Sequence, residues 1–555
     1  MAPLPAKAGL NPVKGRRVQM DKQVDGIPRK RHLLLAGWAL GLLLLWVGAG
    51  VEAWAKPTTA SQARRVVATW LSLDPRPLEA ALGQEIAEVQ AFPGETAEPH
   101  YFVVYLHSAG FVVVSGDDLV EPIIAFISRG RYDPSLGTPL GALVSQDLAG
   151  RVAAAREMEQ QILRKELLAP TGASAKARQK WELLDQSEAA AVQSLAEQGL
   201  PDISDIRVAP FVLSKWGQDK EGGTNCYNYF TPNNYVCGCV ATFMAQIMRY
   251  HVYPTAAVGT PAFNIYVDGA LWPNVPLRGG NGSGGPYQWN DMVLDPDAST
   301  TDAQRQAIGA LTYDAGVSVN MSYRAEGSGA TFSQAMSSLR SPFGYSNTMK
   351  GYNSGTTIPL DSLYQMINPN MDARLPVAFD IRRPGGGHGV LADGYGYNLG
   401  TMYHHLNMGW SGSKDVWYNL PDISIPEWAR YYDTILRCGY NIYPGGTGEI
   451  ISGRVTNTDG HPVAGAAVAA TRSGGGSYAA TTDSQGIYAL AKIPSGSSFI
   501  LQVTKAGYAF TPRPVSTGTS QDETLTTGNV WGADFTGSGG PTGAISPIYQ
   551  LLLLN

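Results

Sequence analysis

The chain has 555 residues, 44% of them hydrophobic and 16% charged, a globular composition that excludes a wholly disordered protein. That length corresponds to about three or four domains at ~150 residues each. A net charge of −5 excludes the broad basic surface that nucleic-acid binding needs, and 64 glycines favour loops and short strands over long bundles.

At the N-terminus, basic runs at 14–17 and 29–31 precede an apolar stretch at 33–51 and the tripeptide Ala53-Trp54-Ala55. Basic region, apolar core and small-x-small site are the layout of a secretory signal peptide. Residues 1–55 are therefore assigned to a signal peptide with a basic leader, and the product to the cell exterior or surface. The 19-residue core also reaches the length of a marginal membrane span. An uncleaved anchor is the competing reading, and only then is a membrane a partner.

Residues 58–73 predict a helix. Strands are expected at 85–92, 101–107, 110–115 and 122–128, the second and third joined as a hairpin through Ser108-Ala109-Gly110. From 140 to 198 the chain is rich in Ala, Glu, Gln, Lys and Arg with spaced Leu, which predicts two solvent-facing helices broken at 170–172. Such a connector invites proteolysis, and processing is expected between about residues 194 and 208.

A unit over 208–443 follows. After Gly238, residues Val240, Phe243, Met244, Ile247 and Met248 fall at helical spacing, so Cys239 opens an apolar helix. A thiol there meets unpaired N–H groups and the positive end of the helix dipole, and both favour thiolate. A second helix is expected at 301–316, and strands at 375–380, 389–395, 401–407 and 416–420. Gly385-Gly386-Gly387-His388 leads into the strand at 389–395, and Asn407 ends the one at 401–407. Cysteine, then histidine, then asparagine is the chain order of papain-like nucleophilic catalysis. Residues 444–448 read as a short flexible linker. Alternating strands at 449–455, 463–470, 486–490 and 499–504 predict a β-sandwich over 449–537. The apolar tail, 538–555, has no assigned role.

On these motifs the chain resembles the streptopain family of secreted papain-like cysteine peptidases. The resemblance spans roughly residues 60–440. It rests on the run from Cys239 to Pro254, on Gly386-Gly387-His388, and on the segments at 287–290, 307–319 and 407–412. The segment at 110–118 is similar to a Spi-like inhibitory propeptide. Segments 451–455 and 482–488 resemble a carboxypeptidase regulatory-like sandwich. The resemblance implies an α+β fold: a papain-like two-lobed catalytic domain, preceded by an α+β propeptide with helical connector at 56–207 and followed by a small all-β sandwich.

Cys239 is then the nucleophile, and His388 the base that later returns its proton to the leaving amine. The glycines before His388 let backbone and substrate approach closely. Asn407 is expected to orient the imidazole, with Asp393 as a substitute. The family carries Trp immediately after this Asn; here Met408 stands there, while Trp410 matches. Gln218, 21 residues before Cys239, is similar to the family's oxyanion-hole glutamine. By resemblance, Ser328, Gly329, Gly387 and Trp410 line the substrate cleft.

With Cys239 kept free, Cys226 and Cys237 form the candidate disulfide, and Cys438 stays unpaired. A zinc site from Cys226, Cys237, Cys239 and His251 is the rival. It is disfavoured because CxC constrains tetrahedral chelation and His251 lies about three turns down the helix. No metal and no cofactor is expected. The resulting reading is a cysteine endopeptidase made as a zymogen, forming an acyl-enzyme with protein or peptide substrates and inhibited by its own propeptide. Its alternatives are a papain-like transferase or amidase using the same dyad, and a non-catalytic adhesin or binding protein.

Overall fold

Thr59 starts the first helix, α1 (Ala60–Leu73), with a capping box: its hydroxyl accepts from the Gln62 N–H, and the Gln62 side chain accepts from the Thr59 N–H. The protein is represented by a computed structural model that describes residues 56–540 except 94–97, 165–166, 168–169, 171, 199–202, 384 and 422–433. The segment expected to be a signal peptide and most of the apolar tail lie outside the described residues.

Strands β1 (Ile86–Pro93), β2 (Pro99–Leu106), β3 (Phe111–Ser115) and β4 (Ile123–Ile127) form an antiparallel meander close to the expected boundaries. All of β3 and β4 is buried, because α1 covers one face and α2 (Pro139–Leu163) the other. Helices α3 (Gly172–Leu184) and α4 (Glu188–Gln198) complete this half. The connector thus holds three helices rather than two, and α2 buries one face instead of being solvated all round. Its Leu140, Leu143, Val144, Leu148 and Val152 are buried, at the spacing of one helix face.

Seven more strands belong to the same sheet: β5 (Ser204–Val208), β6 (Asn347–Tyr352), β7 (Val377–Arg383), β8 (Gly386–Asn398), β9 (Thr401–Asn407), β10 (Val416–Tyr418) and β11 (Ile435–Tyr443). Among the described residues the order is β1-β2-β3-β4-β10-β9-β8-β7-β11-β6, with β5 on β8. The seam between the halves is β4 against β10, where Phe126 faces Trp417 and Ala125 faces Tyr418. One hydrophobic core runs under that seam, joining Leu143, Leu148 and Val152 of α2 to Phe379, Ile381 and Tyr418.

Against the sheet stands a helical lobe of α5 (Cys239–His251), α6 (Asp302–Ser318) and α7 (Phe332–Arg340), with Phe243, Ile247, Ile308, Leu311 and Met336 in its core. Helix α8 (Leu360–Asp372) packs on the sheet lobe. Cysteine helix in one lobe and histidine sheet in the other is the expected papain-like division.

Beyond residue 448, two four-stranded sheets close on Ile451, Val455, Leu490 and Leu501 as a β-sandwich. Residues 445–447 are exposed, but both flanks of the linker are locked. Asn441 and Glu449 are buried, and the Asn441 and Asn529 amides bond to each other at 3.0–3.1 Å. Arg454 Nη1 reaches Asp205 at 2.8 Å, and the Trp531 ring meets Tyr364 and Tyr395 edge-on. The sandwich is therefore packed on the enzyme rather than swung on a loose tether. Among the described residues, no helix is long and apolar enough to cross a membrane.

Candidate active site

Helix α5 is preceded by Gly238 at its N-cap, whose φ of 88° puts the chain in a conformation that side chains disfavour. Gly238 offers no side-chain cap, so the first-turn N–H groups are left open. Residues Val240 to Met248 are all buried, so the helix is enclosed on every side instead of burying one stripe. Cys239 is half-buried at its tip.

Strand β8 approaches that tip closely because Gly389 lacks a side chain. A Cβ there would stand 2.4 Å from the Phe243 ring. The Gly389 N–H donates to Cys239 Sγ at 3.4 Å. His388, the preceding residue, is 7% exposed and pairs with Ile381 of β7. It lies inside a thirteen-residue strand, not ahead of a short one.

Gln218 reaches the same helix end from another direction. Its carbonyl accepts from the Cys237 N–H at 2.8 Å. Its side chain is half-buried and meets no hydrogen-bond partner among the described residues. The Gly217 carbonyl accepts from Thr242 Oγ1 at 3.1 Å, and the Trp216 carbonyl from the Ser411 N–H at 3.3 Å. That last bond draws in the turn carrying Trp410, whose half-buried ring lies 4.9 Å from the Lys414 ammonium. On the remaining side, a Cβ at Gly238 would sit 2.8 Å from the Ser328 carbonyl oxygen, with Gly329 exposed beside it. Gly387 pairs with Arg382 at the start of β8. The Gln218 carbonyl, the Ser328 carbonyl and the Gly389 N–H thus stand against residues 237–239 at the α5 N-terminus.

Asn407 departs from its expected role. Its Nδ2 donates to the Ser214 carbonyl (2.9 Å) and to Gln246 Oε1 (3.2 Å). Its Oδ1 accepts from Gln246 Nε2 (3.2 Å) and the Gly409 N–H (3.0 Å). Those four bonds use the whole capacity of a side-chain amide, leaving none for an imidazole. Asp393 is also committed, to His405 Nδ1 at 2.6 Å and to the N–H groups of Phe211 and Val212. Burial disfavours charge on His405, but Asp393 and Asp415 outweigh it and hold its pKa above the ordinary value. His404 bonds to Asn368 between the rings of Tyr364 and Tyr395, and His251 bonds to Tyr345.

The Cys226–Cys237 disulfide is not formed either. Both residues are buried free thiols, and Cys237 Sγ lies 3.4 Å from Thr242 Oγ1. Burial pushes Cys226, Cys237 and Cys438 up to about 12, leaving Cys239 as the half-buried thiol among the four. Sequence reasoning missed Gln246, the fully buried partner of Asn407. The signal for it was an amide standing inside an unbroken apolar helical run.

A thiol-bearing helix in one lobe, facing a histidine-bearing sheet in the other, defines the chain as a cysteine peptidase of papain-like architecture. Comparison with known proteins agrees. Residues 216–418 match the Peptidase C10 family, residues 55–145 the Spi protease inhibitor, and residues 450–528 the carboxypeptidase regulatory-like domain. The chain thus carries a peptidase domain of the C10, or streptopain, family behind a Spi-type inhibitor domain. It is 25% identical to streptopain of Streptococcus pyogenes serotype M1 over 341 residues, covering 59% of this chain and 75% of that protein. It is 29% identical over 178 residues to the thiol protease/hemagglutinin PrtT of Porphyromonas gingivalis, covering 32% of this chain and 20% of that one. A prointerpain A fragment of Prevotella intermedia superposes with a TM-score of 0.42 at 18% identity, over 65% of this chain and 99% of that one.

Proposed function

We propose that the chain is an exported cysteine endopeptidase, made as a zymogen, in which Cys239 attacks the scissile carbonyl and His388 handles the proton. The observation that carries this reading is the 3.4 Å contact from the Gly389 N–H to Cys239 Sγ, which sets the thiol beside the residue next to His388.

In this mechanism the Cys239 thiolate, paired with the His388 imidazolium, adds to the carbonyl carbon. The carbonyl π pair moves to oxygen, and the oxyanion takes hydrogen bonds from the Cys239 N–H and the Gln218 amide. Collapse of the tetrahedral adduct breaks the C–N bond. His388 gives its proton to the leaving amine, and a thioester acyl-enzyme remains. Water then yields a proton to His388 while attacking the thioester, and loss of the thiolate restores the ion pair. Ser328, Gly329, Gly387 and Trp410 line the cleft in this reading; all but Gly387 have contacts or neighbours that touch the α5 N-terminus or the loop holding Gln218.

Residues 56–207 are the inhibitory propeptide, 208–443 the catalytic domain, 444–448 the linker and 449–537 the sandwich, with export directed by residues 1–55. The match to an inhibitor family and the sheet shared across β4 and β10 support intramolecular inhibition. Processing falls between about residues 194 and 208, a stretch partly outside the described residues. Casein hydrolysis tests the nucleophile. Cys239→Ala and Cys239→Ser abolish it while stability stays within about 1–2 kcal/mol of wild type. Full activity in Cys239→Ala contradicts the assignment.

A further inference from the structure

Gln246 lies about two turns along α5 from Cys239 and is fully buried among apolar neighbours. A buried amide is costly unless its polar atoms are satisfied, and here they are. Gln246 Oε1 accepts from Ser214 Oγ (2.9 Å), Asn407 Nδ2 (3.2 Å) and the Trp216 N–H (3.4 Å). Its Nε2 donates to Asn407 Oδ1 at 3.2 Å. The two amides form a reciprocal pair, and Asn407 adds bonds to the Ser214 carbonyl and the Gly409 N–H.

The pair binds three segments to one another: the nucleophile helix, the 214–218 segment and the turn after β9. Its contacts concentrate on 214–218, at the Ser214 hydroxyl, the Ser214 carbonyl and the Trp216 N–H. Two residues further on stands Gln218, with its own carbonyl held by Cys237. The segment is therefore fixed at successive points up to Gln218, whose side-chain amide meets no hydrogen-bond partner among the described residues. A displacement of about 1 Å in such a group costs on the order of 100-fold in rate.

We propose that the Gln246–Asn407 amide pair is a positioning device for the oxyanion hole, setting the Gln218 amide against the Cys239 N–H. The inference rests on the reading of Gln218 and Cys239 given above. Neither amide touches substrate; both act through the 214–218 segment. Asn407 thus serves the reaction through the oxyanion side of the site and not through the imidazole.

The test uses the processed full-length enzyme carrying Gln246→Met, which keeps the side-chain length and removes the amide, beside Gln218→Ala and the double variant. Alkylation of Cys239 by iodoacetamide reports the thiol and needs no oxyanion hole, whereas kcat for a peptide substrate needs both. Gln246→Met is expected to lower kcat by about 10- to 100-fold, below the 10²–10³ range for deleting an oxyanion donor. KM and the alkylation rate stay within about twofold of wild type. The double variant is no slower than Gln218→Ala, because one residue acts through the other. Should Gln246→Met not fold, Gln246→Glu keeps the shape and the acceptor atoms but loses the donation to Asn407, and the same pattern is expected at smaller size. Unchanged kcat, a parallel fall in alkylation, or losses that multiply in the double variant overturn the proposal. If Gln218→Ala itself leaves kcat unchanged, the oxyanion assignment of Gln218 fails and takes this inference with it. If only Gln218→Ala slows the enzyme, this inference alone fails.

Discussion

Gly389 and Phe243 meet with no room between them: an added Cβ would stand 2.4 Å from one ring carbon and 2.5 Å from another. This contact brings the His388 strand against the helix that begins with Cys239. Gly389→Ala has to push β8 and α5 apart, which costs about 1–3 kcal/mol as overpacking. It also moves the thiol away from the Gly389 N–H. Denaturant unfolding and kcat are expected to fall together; a variant with both unchanged contradicts the close approach.

Helix α2 is held to β10 and the residue after it by a buried charge cluster. Arg151 makes two 2.8 Å bonds to Asp147 and two 2.7 Å bonds to Asn419, and Tyr418 donates to Asp147 at 2.6 Å. The Arg151 and Asp147 side chains are 9% and 0% exposed. Arg151→Ala leaves Asp147 buried without its cation, a loss of about 3–5 kcal/mol. In a Cys239→Ala precursor, which cannot process itself, the expected result is a lower unfolding midpoint. In the active chain, processing is faster. An unaltered processing time course counts against the clasp.

Asp117, in the inhibitor half, gives that half a pH dependence. Burial, the largest influence, pushes its carboxyl up to about 7, while the Leu119 N–H works the other way. Its second oxygen is buried without a partner among the described residues. An unfolded aspartate titrates near ~3.9. Between those values the unfolded chain has released the proton and the folded chain retains it, so stability falls as pH rises through that window. The loss is roughly 4 kcal/mol at about 1.4 kcal/mol per unit. Comparing unfolding of the Cys239→Ala precursor at pH 5 and pH 7.5, with and without Asp117→Asn, isolates this contribution. The substitution is expected to flatten the dependence. Equal slopes for the two proteins rule out Asp117 as its source.

The sandwich behaves as part of the enzyme. Cutting the exposed linker at 445–447 leaves the Asn441–Asn529 amides and the Trp531 contacts intact. The two fragments are expected to co-elute on size exclusion, and Trp531→Ala to loosen them. Separation of the wild-type fragments after one cut is the contrary result.

Much of this was legible in local pattern. Alternation and turn residues located β1 to β4, and the apolar spacing after Cys239 located α5. The charged, alanine-rich stretch at 140–198 misled because its composition suggests a solvated face, while the spacing of Leu140, Leu143, Val144 and Leu148 builds a buried one. The seam of β4 on β10 joins segments almost three hundred residues apart, and no local period encodes such a register. Chain order suggested Asn407 as the partner of His388, but order does not reveal which polar neighbour saturates a buried amide. Gln246 answered that only once the helix was folded against β9.

The most direct measurement is the rate of iodoacetamide labelling at each cysteine, located by mass spectrometry, at mildly acidic pH in wild type and in His388→Ala. The account predicts labelling at Cys239 in preference to the three buried thiols, and a marked slowing in His388→Ala together with loss of peptide hydrolysis. Equal labelling of Cys239 in the two proteins, or a label found first on Cys226, Cys237 or Cys438, contradicts it.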